Sequence, residues 1–548
     1  MKKWKVNFIF LLFFIVSATA VYRLSFLQIK QGNFYKALSQ GLHISRQNAL
    51  SGRGEIFLEN EKPLAINIEQ SFVFANSKII EDLSEAVNFL NNILNIEQDV
   101  LFEKIENNPS YAVLKENLNQ TEIDQINQLN LYGVFVNTKN KRYYPQEKLL
   151  SSVIGFLGAE NKGQYGLEEF YEEDLKAKEG IIQDKKGSDL FLTIDYNIQF
   201  QTEALLKKAK ENFNIKDGEI IVVEPSSGKI LAMASLSSFD PNYYEEYAQE
   251  KNLAVFKNKS TLELFEPGSV FKPITMASAI EENKITPETT YKDLGCLEID
   301  DYPICNYKQR IYEGELTMIN VLEKSINTGA VFAQKELGGN LFLEYMEKFG
   351  LFEPTNIDIR ETYSKNENVK SKREVNLATA SFGQGIAITS IQLIKAYCAI
   401  INGGYLVTPY LVEKIKDSDS NVFYPYQENI EKAEQVISTK TSSQVVSMLV
   451  SVVENGFGKA AQIPGYFVGG KTGTSQVSYG SLGINQAGYS DETIQSFIGF
   501  APAFNPKFLI LVKLDNPETK TAEYSALPIF QELAEYIIRQ YQIPLDYE

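Results

Sequence analysis

The apolar positions of this chain fall into three regimes. The first, "MKKWKVNFIFLLFFIVSATAVY", sets Lys2, Lys3 and Lys5 ahead of an almost unbroken apolar run from about Phe8 to Tyr22. That length approaches the roughly 17 residues a bilayer-spanning helix needs. "ATA" at 18–20 also fits a small-x-small cleavage site, so an uncleaved anchor and a removed signal segment are both open. Either way the lysines stay cytoplasmic and the bulk of the chain is exported. The second regime, residues 23–185, alternates short strand-like and helical pieces. In "IIEDLSEAVNFLNNILNI" (79–96) the apolar residues at 83, 87, 90, 93 and 94 follow a helical period. "NNPSYAVLKENLNQTEIDQINQLN" reads as strand then helix, and with no catalytic cluster in view the region reads as a scaffold.

The third regime begins near Gly187. "GSDLFLTIDYNIQFQTEALLKKAKENF" reads as a short strand and a long amphipathic helix. "GEIIVVEPSSGKILAMAS" (218–235) reads as a hairpin around Pro-Ser-Ser-Gly. Near the C-terminus "YFVGGKTGTSQV", "TIQSFIGFAPA" and "KFLILVKLDN" read as three more strands. "PIFQELAEYIIRQYQI" follows as a helix with Phe530, Leu533, Ala534, Ile537, Ile538 and Tyr541 on one face. One antiparallel sheet built from both ends of this region, covered by its first and last helices, is the simplest assembly. The middle, about 240–450, is mostly helical and forms a second lobe.

Composition narrows the chemistry. A length of 548 residues implies at least two domains of roughly 100–200 residues each. A formal net charge of −17 repels phosphate backbones, and no basic patch offsets it, so nucleic acid is not an expected partner. The single histidine, His43, excludes a multi-histidine metal site and leaves a Ser-His-Asp hydrolase only that residue. Any other nucleophile must find another base. Cys296, Cys305 and Cys398 form no Cys-x-x-Cys pair. Cys296 and Cys305 either bridge a short loop in an oxidising compartment or remain thiols.

In "FEPGSVFKPIT" (265–275) Pro-Gly makes a turn and Ser269 opens a helix, with Lys272 one turn on and on the same face. A serine at a helix start gains from the dipole and the free N–H groups, and a desolvated lysine can serve as its base. The plain alternative is a capping serine and a surface lysine. Ser226-Ser-Gly-Lys229 has the same spacing in a hairpin turn, so the pattern alone decides nothing. Two further segments change its weight: Ser325-Ile-Asn327, and Lys471-Thr472-Gly473-Thr474 on an expected strand. Ser-x-Asn is weak by itself, since Ser364-Lys-Asn366 also fits, whereas Lys-Thr-Gly occurs once. The three in this order form the motif set of penicillin-binding proteins and serine β-lactamases.

The chain further resembles a class B penicillin-binding protein, a membrane-anchored peptidoglycan D,D-transpeptidase of the FtsI-like or elongation type. "GRGEIFLENEKPLA" (52–65) is similar to the family's stretch after the anchor, with Arg53 and Gly54, though the usual Asp-Arg-Asn-Gly turn is altered. "RYYP" (142–145) and "GQYGLEEFYEEDLKAKEG" (163–180) resemble pedestal motifs, with Lys176-Ala-Lys in place of a Leu-x-Gly pattern. "SFDPN" (238–242), "SFGQGIAITSIQL" (381–393), "NGG" (402–404) and "SFIGFAPAFNP" (496–506) resemble its transpeptidase domain. Residues 23–185 are too short for a glycosyltransferase domain and lack its acidic motifs, which favours class B over class A.

The resemblance implies an α+β architecture: a cytoplasmic tail (1–6), a transmembrane anchor (7–22), an elongated α+β pedestal or dimerisation-type domain (23–185) and a transpeptidase domain (186–548). The last would hold an antiparallel five-stranded sheet flanked by helices, plus a helical lobe. It implies Ser269 as the acylated nucleophile, Lys272 as its base and Ser325 as a proton relay. Asn327 would hydrogen-bond the substrate's amide side chain and orient Lys272. Lys471 would supply positive potential, Thr472 and Thr474 would bind the substrate carboxylate, and the N–H groups of Ser269 and Thr474 would form the oxyanion hole. The stretch 475–490 would rim the cleft. No cofactor and no metal are implied. Expected partners are peptidoglycan stem peptides and lipid-linked nascent glycan, β-lactams as inhibitors, the membrane, and a polytopic glycosyltransferase of the shape and division type with other divisome or elongasome proteins. The expected place is the bacterial cytoplasmic membrane, single-pass, with the catalytic domain outside. The length of pedestal and chain leans toward the FtsI-like division type. The alternatives are a D,D-carboxypeptidase, a secreted serine β-lactamase, and a non-enzymatic β-lactam sensor or division scaffold.

Overall fold

The computed structural model describes residues 3–25, 52–158, 161–176, 186–249, 252–428, 431–486 and 488–548. His43, Ala177 and Lys178, which figured above, lie outside them. The described chain forms two compact units. The smaller comprises Met1–Arg53, Asn67–Tyr143 and Glu179–Asp184, the larger Gly54–Ile66, Tyr144–Lys178 and Lys185–Glu548.

In the smaller unit the 3.6-residue period is realised as the helix Leu83–Leu94. Asp82 caps it by accepting the Glu85 N–H, and Asn95 closes it in the left-handed region at φ +54°. Its Ala86, Val87, Leu90 and Leu94 are buried with Leu101, Ile105, Leu114 and Ile126. The expected strand and helix that follow are Ala112–Glu116 and Gln120–Leu129. The latter starts with a reciprocal Asn119–Glu122 capping box. The N-terminal segment Lys3–Ser25 is one helix of 23 residues. Among the described residues, no helix is long and apolar enough to cross a membrane. The fold therefore supplies the helix expected at 7–22 without showing it as a span.

The larger unit is built on five antiparallel strands: β1 (Asp217–Val223), β2 (Ile230–Ser235), β3 (Gly469–Ser478), β4 (Tyr489–Ala501) and β5 (Phe508–Asp515). Their order is β3-β4-β5-β1-β2, so the strand bearing Lys471-Thr-Gly-Thr474 is an edge strand. The strand period of two explains why the second half of β1, Ile220–Val223, is apolar without alternation: Ile220 and Val222 enter one core, Ile221 and Val223 the other. Two helices cover the first face, α1 (Tyr196–Phe213) and α6 (Ala526–Gln540), with Leu205, Leu206, Phe530, Leu533 and Ile537 against Ile510 and Val512. The second face meets the helical lobe, which includes α2 (Lys272–Glu281), α3 (Asn327–Leu337), α4 (Ser390–Ile401) and α5 (Thr439–Asn455). One expectation fails here. Tyr541 does not join the buried face of α6: the helix stops at Gln540, and Tyr541 stays 40% exposed with its hydroxyl 3.4 Å from Asp195 Oδ2. The short strand Asp189–Leu192 stands apart from the five. It pairs in parallel with Ile56–Phe57 and antiparallel with Val412–Lys416.

Candidate active site

The nucleophile candidate sits on a tightly held turn. Gly268–Phe271 is a single 3-10 turn, and α2 begins only at Lys272, with Pro273 in its first turn where no intrahelical N–H is lost. Gly268 takes φ +62°, the sharp entry expected from Pro-Gly. Its N–H donates to the Gly383 carbonyl at 2.9 Å. Gly383 in turn has no room for a side chain, since a Cβ there would lie 2.2 Å from the Gly268 oxygen. The Tyr397 hydroxyl, wholly buried, donates to the Val270 carbonyl at 2.6 Å, and Ser475 Oγ donates to the Glu266 carbonyl at 2.8 Å. From the edge of the sheet, Gly473 lets β3 approach: a Cβ on it would fall 2.5 Å from Ser496 Oγ and 3.0 Å from Val270 Cγ1.

These elements bring the first four candidate residues together. Lys272 is fully buried, with Nζ 3.0 Å from Ser269 Oγ, 2.7 Å from the Ser325 carbonyl oxygen, 2.8 Å from Asn327 Oδ1 and 3.3 Å from Ser325 Oγ. Two of these neighbours, the carbonyl and the amide oxygen, can only accept. A neutral amine has two N–H bonds and one lone pair, so it can donate to both oxygens and turn the lone pair to the Ser269 hydroxyl. Burial, and then the charge of Lys471, push the Lys272 ammonium well below its ordinary pKa, toward that neutral form. Ser325 sits at φ +55°, uncommon for a non-glycine residue, and so presents both its carbonyl and its hydroxyl to Lys272.

Lys471 approaches from β3. Its Nζ lies 3.0 Å from Ser325 Oγ, 3.2 Å from the Thr472 carbonyl and 3.4 Å from Thr472 Oγ1, three acceptors that suit an ammonium. Burial pulls its pKa down to about 7, while the Glu523 carboxylate works the other way. Thr472 is buried and Thr474 half-buried beside it, with Thr474 Oγ1 3.5 Å from the Ala522 N–H. Thus Ser269, Lys272, Ser325, Asn327 and Lys471 form one continuous hydrogen-bonded chain, and Gly473 serves the packing that closes it.

The two decoys lie elsewhere. Lys229 pairs with Glu413 at 3.1 Å, and Asn366 holds the backbone of Ala387 through both ends of its amide. The motif reading missed Glu266, Tyr397 and Glu523. Glu266 accepts from Gly385 N–H at 3.1 Å and Tyr489 hydroxyl at 2.9 Å, tying the nucleophile turn to the stretch expected as a cleft rim. Its adjacency to Pro267-Gly268 was the only available signal. Cys296 and Cys305 are joined in a disulfide, and Cys398 is a buried free thiol. Among the described residues, no group of histidine, cysteine and carboxylate side chains is placed to hold a metal ion.

Comparison with known proteins bears on this arrangement directly. The penicillin binding protein transpeptidase domain family matches residues 218–535, and the penicillin-binding protein dimerisation domain family matches residues 48–189. Stage V sporulation protein D of Bacillus subtilis is 32% identical over 525 residues, spanning 90% of this chain and 79% of that protein. A peptidoglycan D,D-transpeptidase FtsI homolog of Mesostigma viride is 30% identical over 585 residues, spanning 98% and 96%. Among solved structures, penicillin binding protein 3 of Mycobacterium tuberculosis complexed with aztreonam superposes with a TM-score of 0.71 at 24% identity, covering 91% of this chain and 98% of that one. Penicillin binding protein 2X of Streptococcus thermophilus superposes with a TM-score of 0.75 at 19% identity, covering 90% and 80%. At those identities the structures establish the fold alone. With a transpeptidase and a dimerisation family matched in tandem and curated relatives aligned along nearly its whole length, the chain belongs to the class B penicillin-binding proteins.

Proposed function

We propose that this chain is a serine-type peptidoglycan D,D-transpeptidase that works through an acyl-enzyme on Ser269. The observation that carries the reading is the buried Lys272 Nζ, set between Ser325 O, Asn327 Oδ1 and Ser269 Oγ; as a neutral amine it donates to the first two and keeps its lone pair for Ser269 Oγ 3.0 Å away. The lone pair takes the hydroxyl proton as Ser269 attacks the carbonyl between the two D-alanines of a stem peptide. The N–H groups of Ser269 and Thr474 hold the developing oxyanion. The proton passes through Ser325 Oγ to the departing D-alanine amine. An amine from a neighbouring stem then enters by the reverse path and takes the acyl group. Lys471 supplies positive potential for the substrate carboxylate, which Thr472 and Thr474 hold by their hydroxyls. Asn327 meets the amide side of the substrate while orienting Lys272. No cofactor takes part. β-Lactams acylate Ser269 as mimics of the same substrate, in keeping with the aztreonam complex of the related fold.

The same reading extends to place and partners. Lys3–Ser25 leaves Phe10, Leu11, Leu12, Phe13 and Phe14 all more than half exposed, a surface that water does not favour. A bilayer around residues 7–22 would cover it, with residues 1–6 as the cytoplasmic tail, 23–185 as the pedestal and 186–548 as the extracytoplasmic transpeptidase domain. Nascent lipid-linked glycan and a polytopic glycosyltransferase of the shape and division type are the partners that such a placement suits, with a division role ahead of an elongation one. The test is labelling of the full chain with a fluorescent penicillin and mapping of the adduct by mass spectrometry. An adduct on Ser269 is the expected result, and an adduct on any other residue overturns the assignment.

A further inference from the structure

Asn327 can serve Lys272 in only one of its two amide orientations, and the group that selects that orientation lies outside the three motifs. Its Nδ2 donates to the Cys305 carbonyl at 3.0 Å, while its Oδ1 accepts from Lys272 Nζ at 2.8 Å. Turning the amide over would set two acceptors against each other at Cys305 and two donors at Lys272, so the Cys305 carbonyl fixes which end meets the lysine.

That carbonyl is itself held in place. Cys296–Ile299 and Tyr302–Cys305 form a small antiparallel hairpin in which Cys296 pairs with Cys305, and the disulfide joins the same two residues. The next residue, Asn306, does a second job. Ile326, the residue ahead of α3, offers no side-chain cap. Instead Asn306 Oδ1 accepts the first two N–H groups of the helix, Asn327 N at 3.0 Å and Thr328 N at 3.1 Å, from 21 and 22 residues away. The Asn306 amide is oriented in turn by Asp293, both of whose carboxylate oxygens accept from Asn306 Nδ2 at 3.0 Å. Asp293 is 4% exposed and also accepts from Thr328 Oγ1 at 2.6 Å, Tyr312 N at 2.8 Å and Gly295 N at 3.0 Å. Burial alone would raise its pKa, but these hydrogen bonds outweigh it and hold the carboxyl below its ordinary range. A buried carboxylate there faces the N-terminus of an 11-residue helix, where negative charge is favoured.

We propose that Asp293 and Asn306, with the disulfide-closed hairpin 296–305, are positioning residues for the acylation step: they fix the start of α3 and the amide of Asn327, and through it aim the Lys272 lone pair at Ser269. The proposal rests on the reading of Ser269 and Lys272 given above. Neither residue touches the reacting atoms. They act because Asn327 meets Lys272 at the first residue of a helix whose cap and whose amide partner both come from residues 305 and 306.

The test is the rate of acylation by a fluorescent penicillin as a function of pH, with the full chain. The groups that set the charge of Lys272 are its own burial and Lys471, with Glu523 acting on Lys471 from the far side. The control is wild-type labelling at Ser269, which tests the functional reading by itself. Given that label, Asn306→Ala is expected to slow acylation on the order of 100-fold, the scale on which small misplacements at a reacting centre act. Its acid limb should move to higher pH as water reaches Lys272. Thr328→Val removes the hydroxyl that donates to Asp293 at 2.6 Å and lies 3.2 Å from Asn306 Oδ1, while leaving both of those side chains in place; it is expected to give a smaller loss in the same direction, most of which Thr328→Ser recovers. If Asn306→Ala does not fold, the Thr328 pair decides. Acylation at the wild-type rate with an unmoved acid limb, in whichever of Asn306→Ala and Thr328→Val folds, overturns the proposal and leaves the assignment of Ser269 and Lys272 standing.

Discussion

The two walls of the cleft each bury a lysine completely, and they treat it differently. On the helix wall Lys272 meets two oxygens that can only accept, the Ser325 carbonyl and Asn327 Oδ1, and has the Ser269 hydroxyl in front of it. On the strand wall Lys471 meets three acceptors and has a carboxylate, Glu523, within electrostatic reach. Burial lowers the pKa of both, but the charge of Lys471 adds to the drop at Lys272, whereas the Glu523 carboxylate opposes it at Lys471. Residue type and burial are the same, so the division of labour comes from the neighbours.

The comparison breaks most completely if the proposed nucleophile is removed. Ser269→Ala should abolish covalent labelling by a fluorescent penicillin, read on a gel. Replacing Lys272 by arginine, which does not give up its proton in proteins, should lower the acylation rate roughly 10²–10⁴-fold, the range of a lost general base. The same exchange at Lys471 keeps the charge that wall calls for, so Lys471→Arg should retain far more acylation than Lys471→Ala. The alanine variant is expected to lose about 10–100-fold, the scale of one hydrogen bond to a charged group. Equal losses in the two arginine variants would erase the distinction between the walls.

Acidity sharpens the contrast further. Acylation should fall on the acid side as Lys272 takes up a proton, and on the alkaline side as Lys471 loses its own above about pH 7. In Lys471→Arg the alkaline limb should disappear and the acid limb remain. Stability runs the opposite way on the alkaline side. The unfolded chain holds a proton on Lys471 that the folded chain gives up between about pH 7 and the ordinary lysine range, so unfolding should become harder as pH rises through that window. The smallest expected effect lies behind the helix wall. Tyr397→Phe leaves the Val270 carbonyl without its donor and should cost about 1–2 kcal/mol in denaturant unfolding, with a modest loss of acylation.

What the sequence discloses of this site is the part written in local spacing. Ser269 and Lys272 share a face because they are three residues apart, and Lys471-Thr-Gly lies on a strand because apolar runs bracket it. The supports are hidden for a physical reason. The Cys305 group that orients Asn327 is a backbone carbonyl, which every residue possesses, and Asn306 caps a helix that begins 21 residues later. Gly383 was visible in "SFGQG", but only the fold shows that it must be glycine because it rests on Gly268. The five strands and the terminal helices were legible from period and punctuation. The packing of residues 54–66 and 144–178 with the larger unit was not, because contacts between segments far apart leave no trace in a local pattern. Tyr541 misled because helical spacing continues past the point where the helix stops.

Ser325 Oγ stands between the two walls, 3.3 Å from one amine and 3.0 Å from the other, and a hydroxyl has a single hydrogen to give. Whichever nitrogen receives it must at that moment be the one with a free lone pair, and the other must point a hydrogen back. The lysines are therefore not two independent acids but one two-site proton reservoir, and a titration of the site reports the pair rather than either member. In the proposed reaction the proton taken from Ser269 leaves Lys272 across this one hydroxyl, while Lys471 keeps its own.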